Sequence, residues 1–201
     1  DLKINFLNYY QDTLLSFQYF SLFYQKQRLF KELTFCIHQY DRILLKGKNG
    51  CGKSSILRFI CNQNIEYKGE YYRGSQLKIS YVPQDCSFLN GNLESIIEKY
   101  HVDETLVKTI LRKFGFSREI FEIDLENYSE GQKKKVMLSI SLATQAHLYI
   151  WDEPLNYIDI FSRIQIEKLI LEYQPTLLFV EHDKAFQKKV ATKIIDLDEV
   201  I

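Results

Sequence analysis

Apolar positions fall in short blocks along this chain, and the spacing inside them switches between strand and helix types. From Leu14 to Phe35 the pattern predicts two aromatic-rich strands, Leu15–Leu22 and Leu29–Phe35, joined by a polar turn at Tyr24–Arg28. Ile43-Leu44-Leu45 is a short apolar run that ends at a glycine-rich segment. Beyond that segment, Ser55 to Cys61 sets Ile56, Leu57 and Ile60 at helical spacing. The stretch 90–127 changes character. Asp103 is placed to cap a helix with the stripe Leu106, Val107, Ile110, Leu111 and Phe114, stopped by Gly115, so a small helical lobe is inserted here. The last third alternates: helix 130–145, strand 148–151, helix 160–173, strand 176–180, helix 183–189 and strand 193–197. Strands alternating with helices predict an α/β domain with a mainly parallel core sheet.

Composition narrows the class. The chain has 201 residues, 46% hydrophobic and 26% charged, which is globular and not disordered. Lys plus Arg and Asp plus Glu both number 26, so net charge is zero and binding that relies on bulk positive charge is excluded; no direct DNA binding is expected. The basic runs Lys133–Lys135 and Lys188-Lys189 are expected to be solvated helix faces and not RNA contacts. No apolar stretch approaches the roughly 18 residues of a membrane span. Cys36, Cys51, Cys61 and Cys86 form no C-x-x-C pair, which predicts buried or half-buried thiols in a reducing, cytoplasmic setting. His38, His101 and His147 lie in no motif and are read as ordinary residues. Met137 is the only methionine, so Asp1 is not expected to be a translation start, and residues 1–13 are expected to be a linker remnant before a domain at 14–201.

The glycine-rich segment carries chemistry. Gly47-Lys48-Asn49-Gly50-Cys51-Gly52-Lys53-Ser54 fits G-x-x-x-x-G-K-[ST], a pattern that chance places in about one chain of this length in a hundred. Glycines let backbone amides turn inward around phosphate oxygens, Lys53 reaches the β- and γ-phosphates, and Ser54 ligates Mg²⁺. The next helix points its positive end at the same anion. The candidate nucleotide contacts are therefore residues 48–54 and Ser55. A hundred residues on, Leu148-Tyr149-Ile150-Trp151 is an apolar strand ending in Asp152-Glu153, the Walker B pattern. Asp152 is placed to hold Mg²⁺, and Glu153 to polarise an attacking water.

A third element separates the families that share those two. Tyr128-Ser129-Glu130-Gly131-Gln132 opens the helix at 130, and Ser129 with Gln132 satisfies the S-x-x-Q capping box. This segment resembles the L-S-G-G-Q signature of ABC ATPases and lies just upstream of Walker B, as in that family. The resemblance covers 14–201. It implies a P-loop NTPase fold of ABC type, with a parallel core sheet, an N-terminal antiparallel β-subdomain and the helical subdomain at about 90–127. It further implies that Tyr81-Val82-Pro83-Gln84 is the Q-loop, with Gln84 facing Mg²⁺ and the water. By the same likeness, Pro154 to Asp159 is the D-loop, His182 in Val180-Glu181-His182-Asp183 is the switch histidine, and Tyr24 stacks on adenine. The signature residues Ser129, Glu130, Gly131 and Gln132 would act on a nucleotide bound by a second ABC domain. Tyr128 and Glu130 depart from the signature consensus, and Glu130 brings negative charge near the partner's γ-phosphate.

Only 31 positions separate Lys53 from Gln84, and 45 separate Gln84 from Ser129, intervals short beside those of membrane-transporter domains. The S-E-G-Q-K-K-K signature and D-E-P-L-N-Y-I-D resemble the ABC-F proteins, in particular the C-terminal ATPase half of bacterial ribosome-protection members that confer antibiotic resistance. The likeness implies an ATP- and Mg²⁺-dependent ATPase that needs a second ABC domain and acts on the ribosome. The alternative is the ATPase subunit of an ABC membrane transporter.

Overall fold

The computed structural model describes Ile4 and residues 6–198. The expected linker remnant at 1–13 lies partly outside the described residues. Its remainder has little regular structure before Thr13, yet it packs on the domain. Ile4 and Tyr9 are buried, the Leu7 amide donates to the Ala146 carbonyl at 2.8 Å, and the Tyr9 hydroxyl donates to the Ser75 carbonyl at 2.7 Å.

β1 (Thr13–Tyr24) is the centre of an antiparallel sheet. It pairs through a tight turn with β2 (Gln27–Arg28), and along its length with β3 (Leu33–His38) and β5 (Glu66–Arg73). The sequence put one strand over 29–35. Leu29 to Lys31 instead bend, which brings Leu29 and Phe30 against the glycine-rich loop. In β1 the register shifts around Tyr19, so Phe20, Ser21 and Leu22 are buried in succession where strict alternation would expose one of them.

The second sheet is parallel, in the order β6 (Ile79–Val82), β7 (Leu148–Asp152), β8 (Leu177–Val180), β4 (Arg42–Lys46), β9 (Lys193–Asp196). Its central strands read as continuous apolar runs because both faces are covered. Ile43, Leu45, Leu148, Ile150, Leu178 and Val180 join one core with α1 (Lys53–Ile60) and the antiparallel sheet. Leu44, Tyr149, Trp151, Leu177 and Phe179 join the other, under α4 (Glu130–Ala143), α5 (Ile160–Tyr173) and α6 (Lys184–Val190). The lobe at 90–127 holds α2 (Leu93–Lys99), α3 (Glu104–Lys113) and two short 3₁₀ turns, and Asp103 caps α3 as its sequence predicts, accepting from the Leu106 amide at 2.6 Å. One buried polar chain crosses this core: the Trp151 indole donates to the Ser141 hydroxyl at 2.9 Å, which also meets that of Ser80 at 2.7 Å.

Phe20 is fully buried and lies within 5.0 Å, ring centroid to ring centroid, of both Phe17 (4.9 Å) and Phe59 (5.0 Å), so it joins the antiparallel sheet to α1. Phe20→Ala is expected to cost about 3–5 kcal/mol in denaturant unfolding. A loss below about 1 kcal/mol would mean that the two layers are not packed as one core.

Candidate functional site

β4 ends at Lys46, and residues 47–52 carry the chain into α1. The Lys53 ammonium donates back to the carbonyls of Gly47 (2.8 Å) and Lys48 (2.9 Å), which places it inside the loop it must serve. Gly52 sits at φ 103, and a Cβ there would stand 2.9 Å from the Phe30 ring, so both backbone and space demand glycine. Each of the other α-helices begins under a side-chain cap: Asn92, Asp103, Ser129, Asp159 and Asp183. α1 begins at Gly52 with no capping side chain, so its first amides stay available to an anion.

The two Walker B carboxylates have different surroundings. Asp152 is 1% exposed. Burial pushes its carboxyl above the ordinary range, against a hydrogen bond from Ser54. Its Oδ1 is buried with no hydrogen-bond partner, a polar atom whose desolvation a cation would offset. Among the described residues no group of three or more His, Cys, Asp or Glu forms a metal cluster. Ser54 lies against Asp152, and Gln84 lines the cleft beside Glu153; their oxygens are of the kind that Mg²⁺ takes together with phosphates and water. Glu153 turns at φ 50, a left-handed conformation costly for a non-glycine residue. There it accepts from Gln84 Nε2 at 3.1 Å and from Asn156 Nδ2, and lies 3.1 Å from His182 Nε2.

Lys53, Ser54, Gln84, Glu153 and His182 face one cleft of about 520 Å³, lined also by Leu29, residues 49, 50, 52 and 55, and Arg58; Asp152 and Asn156 are not in its lining. Leu29 and Arg58 carry no sequence signal that singles them out. Tyr24 ends β1 opposite Gln27, 65% exposed, and the apolar side chain lining the cleft from this region is Leu29. A second cleft of about 600 Å³, among Cys61, Arg73, Tyr81, Phe88 and Tyr100, contains none of the phosphate-loop residues. Burial pushes the Cys61 thiol up to about 12 and the Cys86 thiol up to about 11, and all four cysteines are free.

The signature turn caps α4 reciprocally: the Gln132 amide donates to Ser129 Oγ (3.2 Å), and the Ser129 amide to Gln132 Oε1 (2.8 Å). Tyr128, in the place of the family's leucine, is buried in the lobe with its hydroxyl on the Ile120 carbonyl at 2.6 Å. A Cβ on Gly131 would collide with the carbonyl oxygen of Tyr157, so the D-loop lies directly on the signature turn.

The lysine run after the signature is not a solvated face, contrary to the sequence expectation. Lys133 and Lys134 are buried, and the Lys135 side chain is 15% exposed. Burial lowers the affinity of Lys134 for its proton, yet carbonyls surround its ammonium. Lys135 pairs with Asp159 at 2.5 Å and donates to the Phe114 carbonyl at 2.6 Å. A long side chain reads as solvent-facing unless fixed acceptors are arranged around its charge, and those arise only in the fold. Sequence reasoning also passed over Arg163 and Glu181. Arg163 donates to the Leu155 (3.0 Å) and Ile158 (2.8 Å) carbonyls, while the buried Glu181 accepts from the Leu155 (3.1 Å) and His182 (2.7 Å) amides. Together they fix the D-loop and the histidine turn to one frame.

A phosphate loop leading into an uncapped helix, an orphaned buried carboxylate oxygen beside it, and a second helix opening on an S-x-G-Q turn define an ABC-type ATP-binding domain. Comparisons with known proteins agree. A family profile described as "ABC transporter" matches residues 30–156, and the chain belongs to that family. "ATP-binding protein Uup" of Buchnera aphidicola is 34% identical over 174 residues, 82% of this chain and 29% of that protein. "Ribosome protection protein VmlR" of Bacillus subtilis is 30% identical over 169 residues, 82% of this chain and 30% of that one. Relatives also include "ABC transporter F family" members 5 and 2 of Arabidopsis thaliana, and the resemblance to the F branch of the family holds. The chain thus spans about 30% of the curated relatives it matches. A solved "Structure of ATP binding subunit of ABC transporter" superposes with a TM-score of 0.72 at 23% identity, over 92% of this chain and 86% of that one, and shares the fold. Among the described residues no helix is long and apolar enough to cross a membrane.

Burial acts to raise the Asp159 carboxyl, but Lys135 and the amide and hydroxyl of Ser162 together hold it well below the ordinary carboxylate range. A lowered folded value gives stability that is present above the unfolded value near 3.9 and is lost as pH falls through the folded one. Asp159→Asn keeps a capping side chain but loses the charge. It is expected to melt below the wild type at pH 7, with the gap narrowing as pH falls below the unfolded value and clearly smaller at about pH 2. A gap of equal size at both values would remove the Lys135 pair as a source of stability.

Proposed function

We propose that this domain binds Mg²⁺-ATP on its phosphate loop and hydrolyses it when a second ABC domain lays its own signature turn over the γ-phosphate. The reading rests on one observation above the others: Gln84, Asn156 and His182 converge on the Glu153 carboxylate at the mouth of the phosphate loop. Lys53 exchanges the Gly47 and Lys48 carbonyls for phosphate oxygens, and the first amides of α1 hold the same charge. Glu153 accepts a hydrogen bond from the attacking water and polarises it, while His182 and Gln84 hold the carboxylate in line. Ser54, Asp152 and Gln84 would hold Mg²⁺, which would supply neutralisation of the charge that develops on the phosphates. This domain's Ser129, Glu130, Gly131 and Gln132 serve the nucleotide of the other domain in return.

The intact protein, on this proposal, is a cytoplasmic ABC-F ATPase that acts on the ribosome, with antibiotic resistance by ribosome protection as its role. The likeness to VmlR, whose name states ribosome protection, supports this, as do the short intervals around Gln84. Zero net charge in this domain is no obstacle, since ribosome contacts would come largely from other parts of a longer chain.

Two measurements test the proposal. The isolated domain is expected to bind nucleotide and turn it over slowly, with specific activity rising with concentration; fast, concentration-independent hydrolysis by monomer would refute the need for a partner. In the intact protein, Glu153→Gln is expected to bind ATP without hydrolysing it and to accumulate on ribosomes in sedimentation. Failure to accumulate, with ATP bound, would sink the ribosome reading and leave the ATPase reading standing.

A further inference from the structure

We propose that Lys134 is a positioning residue for hydrolysis, locking the glutamine loop and the end of β7 to the helix that carries the signature turn. Its side chain is buried, 2% exposed, and runs inward from the second turn of α4. The ammonium donates to the carbonyls of Pro83 (2.8 Å) and Gln84 (2.8 Å) and lies 3.5 Å from that of Asp152. An ammonium has three donors and no acceptor, so three converging carbonyls match it, two in full hydrogen bonds and one at the long limit. Burying such a charge is costly unless the acceptors are fixed, and these belong to the two segments that bear the catalytic groups.

The connections are short in both directions. Gln84, held by its own carbonyl, presents its amide to Glu153, and Asp152 is the residue before Glu153. On the other side, Ser129 caps the same helix five positions earlier, with its hydroxyl on the Gln132 amide. A displacement of the signature turn therefore carries the Lys134 ammonium with it and, through two carbonyls, the Gln84 backbone. Lys134 touches neither phosphate nor water; it acts through Gln84. The inference rests on the hydrolytic reading given above and adds that engagement of the signature by the second domain is felt at this domain's own glutamine.

The test uses the intact protein and steady-state ATP hydrolysis with Mg²⁺-ATP. Lys134→Met is expected to lower kcat at least about tenfold while nucleotide affinity, read with a fluorescent ADP analogue, stays within about threefold. Lys134→Arg, which keeps charge and donors, is expected to recover most of the turnover. In a Gln84→Ala background, Lys134→Met is expected to cost less than about threefold more, since the two residues act as one unit. If Lys134→Met does not fold, Lys134→Gln takes its place with the same readouts. Wild-type kcat in the methionine variant, failure of arginine to rescue, or full additivity with Gln84→Ala would each overturn the role. An inert wild type would instead refute the hydrolytic reading, so the two failures are told apart by the first control.

Discussion

The site depends on three parallel strands finishing at one edge of a sheet. β8 lies between β4 and β7, with Leu44 opposite Phe179 and Asp152 opposite Val180. The loop that binds phosphate, the two carboxylates and the histidine turn thus leave the sheet side by side, and the Glu153 amide is still bonded to the Val180 carbonyl at 2.9 Å. A slip of one residue between β7 and β8 would send Asp152 to the opposite face and separate Glu153 from His182. That register is protected by burial on both faces, since every residue of β7 and β8 is buried and each face meets a different core. The chemistry at the edge is thereby tied to two apolar layers that contain none of it.

Legibility in the sequence depends on how local each interaction is. The phosphate loop, the capping box at Ser129 and Gln132, the Asp103 cap and the alternation of the last third depend on neighbours within a few positions, and their geometry appears in the fold as read. The helix at 160–173 is bounded as its pattern indicates, because Asp159 caps one end and Gln174 turns left-handed at the other. What the sequence hid is long-range. Strand β5 is mostly exposed and has no apolar alternation, so its pairing with β1 supplies the only cue. Leu29 reads as a strand residue until the bend at 29–31 brings it to the cleft. The interior placement of the lysine run depends on carbonyls up to 51 positions away.

Charge inside the domain is far from the neutrality of the whole. Asp152 and Glu181 are buried acids, and Lys53, Lys133 and Lys134 are buried bases, gathered where strands end and helices begin. Glu181 is held by backbone amides, and Lys134 by backbone carbonyls. Main-chain dipoles, fixed by the fold before any ligand arrives, do the solvating that water would do outside. Among the described residues Asp152 Oδ1 is the carboxylate oxygen left buried without a partner, beside the hydroxyls of Ser21, Tyr71 and Ser139.

The contact between Gly131 and the Tyr157 carbonyl has a consequence for how such domains can be rebuilt. There is no room for even a methyl group between the two backbones, so position 131 accepts glycine alone unless the Tyr157 carbonyl shifts. A chimera that takes residues 128–135 from another parent keeps this contact only if that parent also has glycine at position 131. A single missing methyl group at position 131 thus governs which donor segments this domain can accept there.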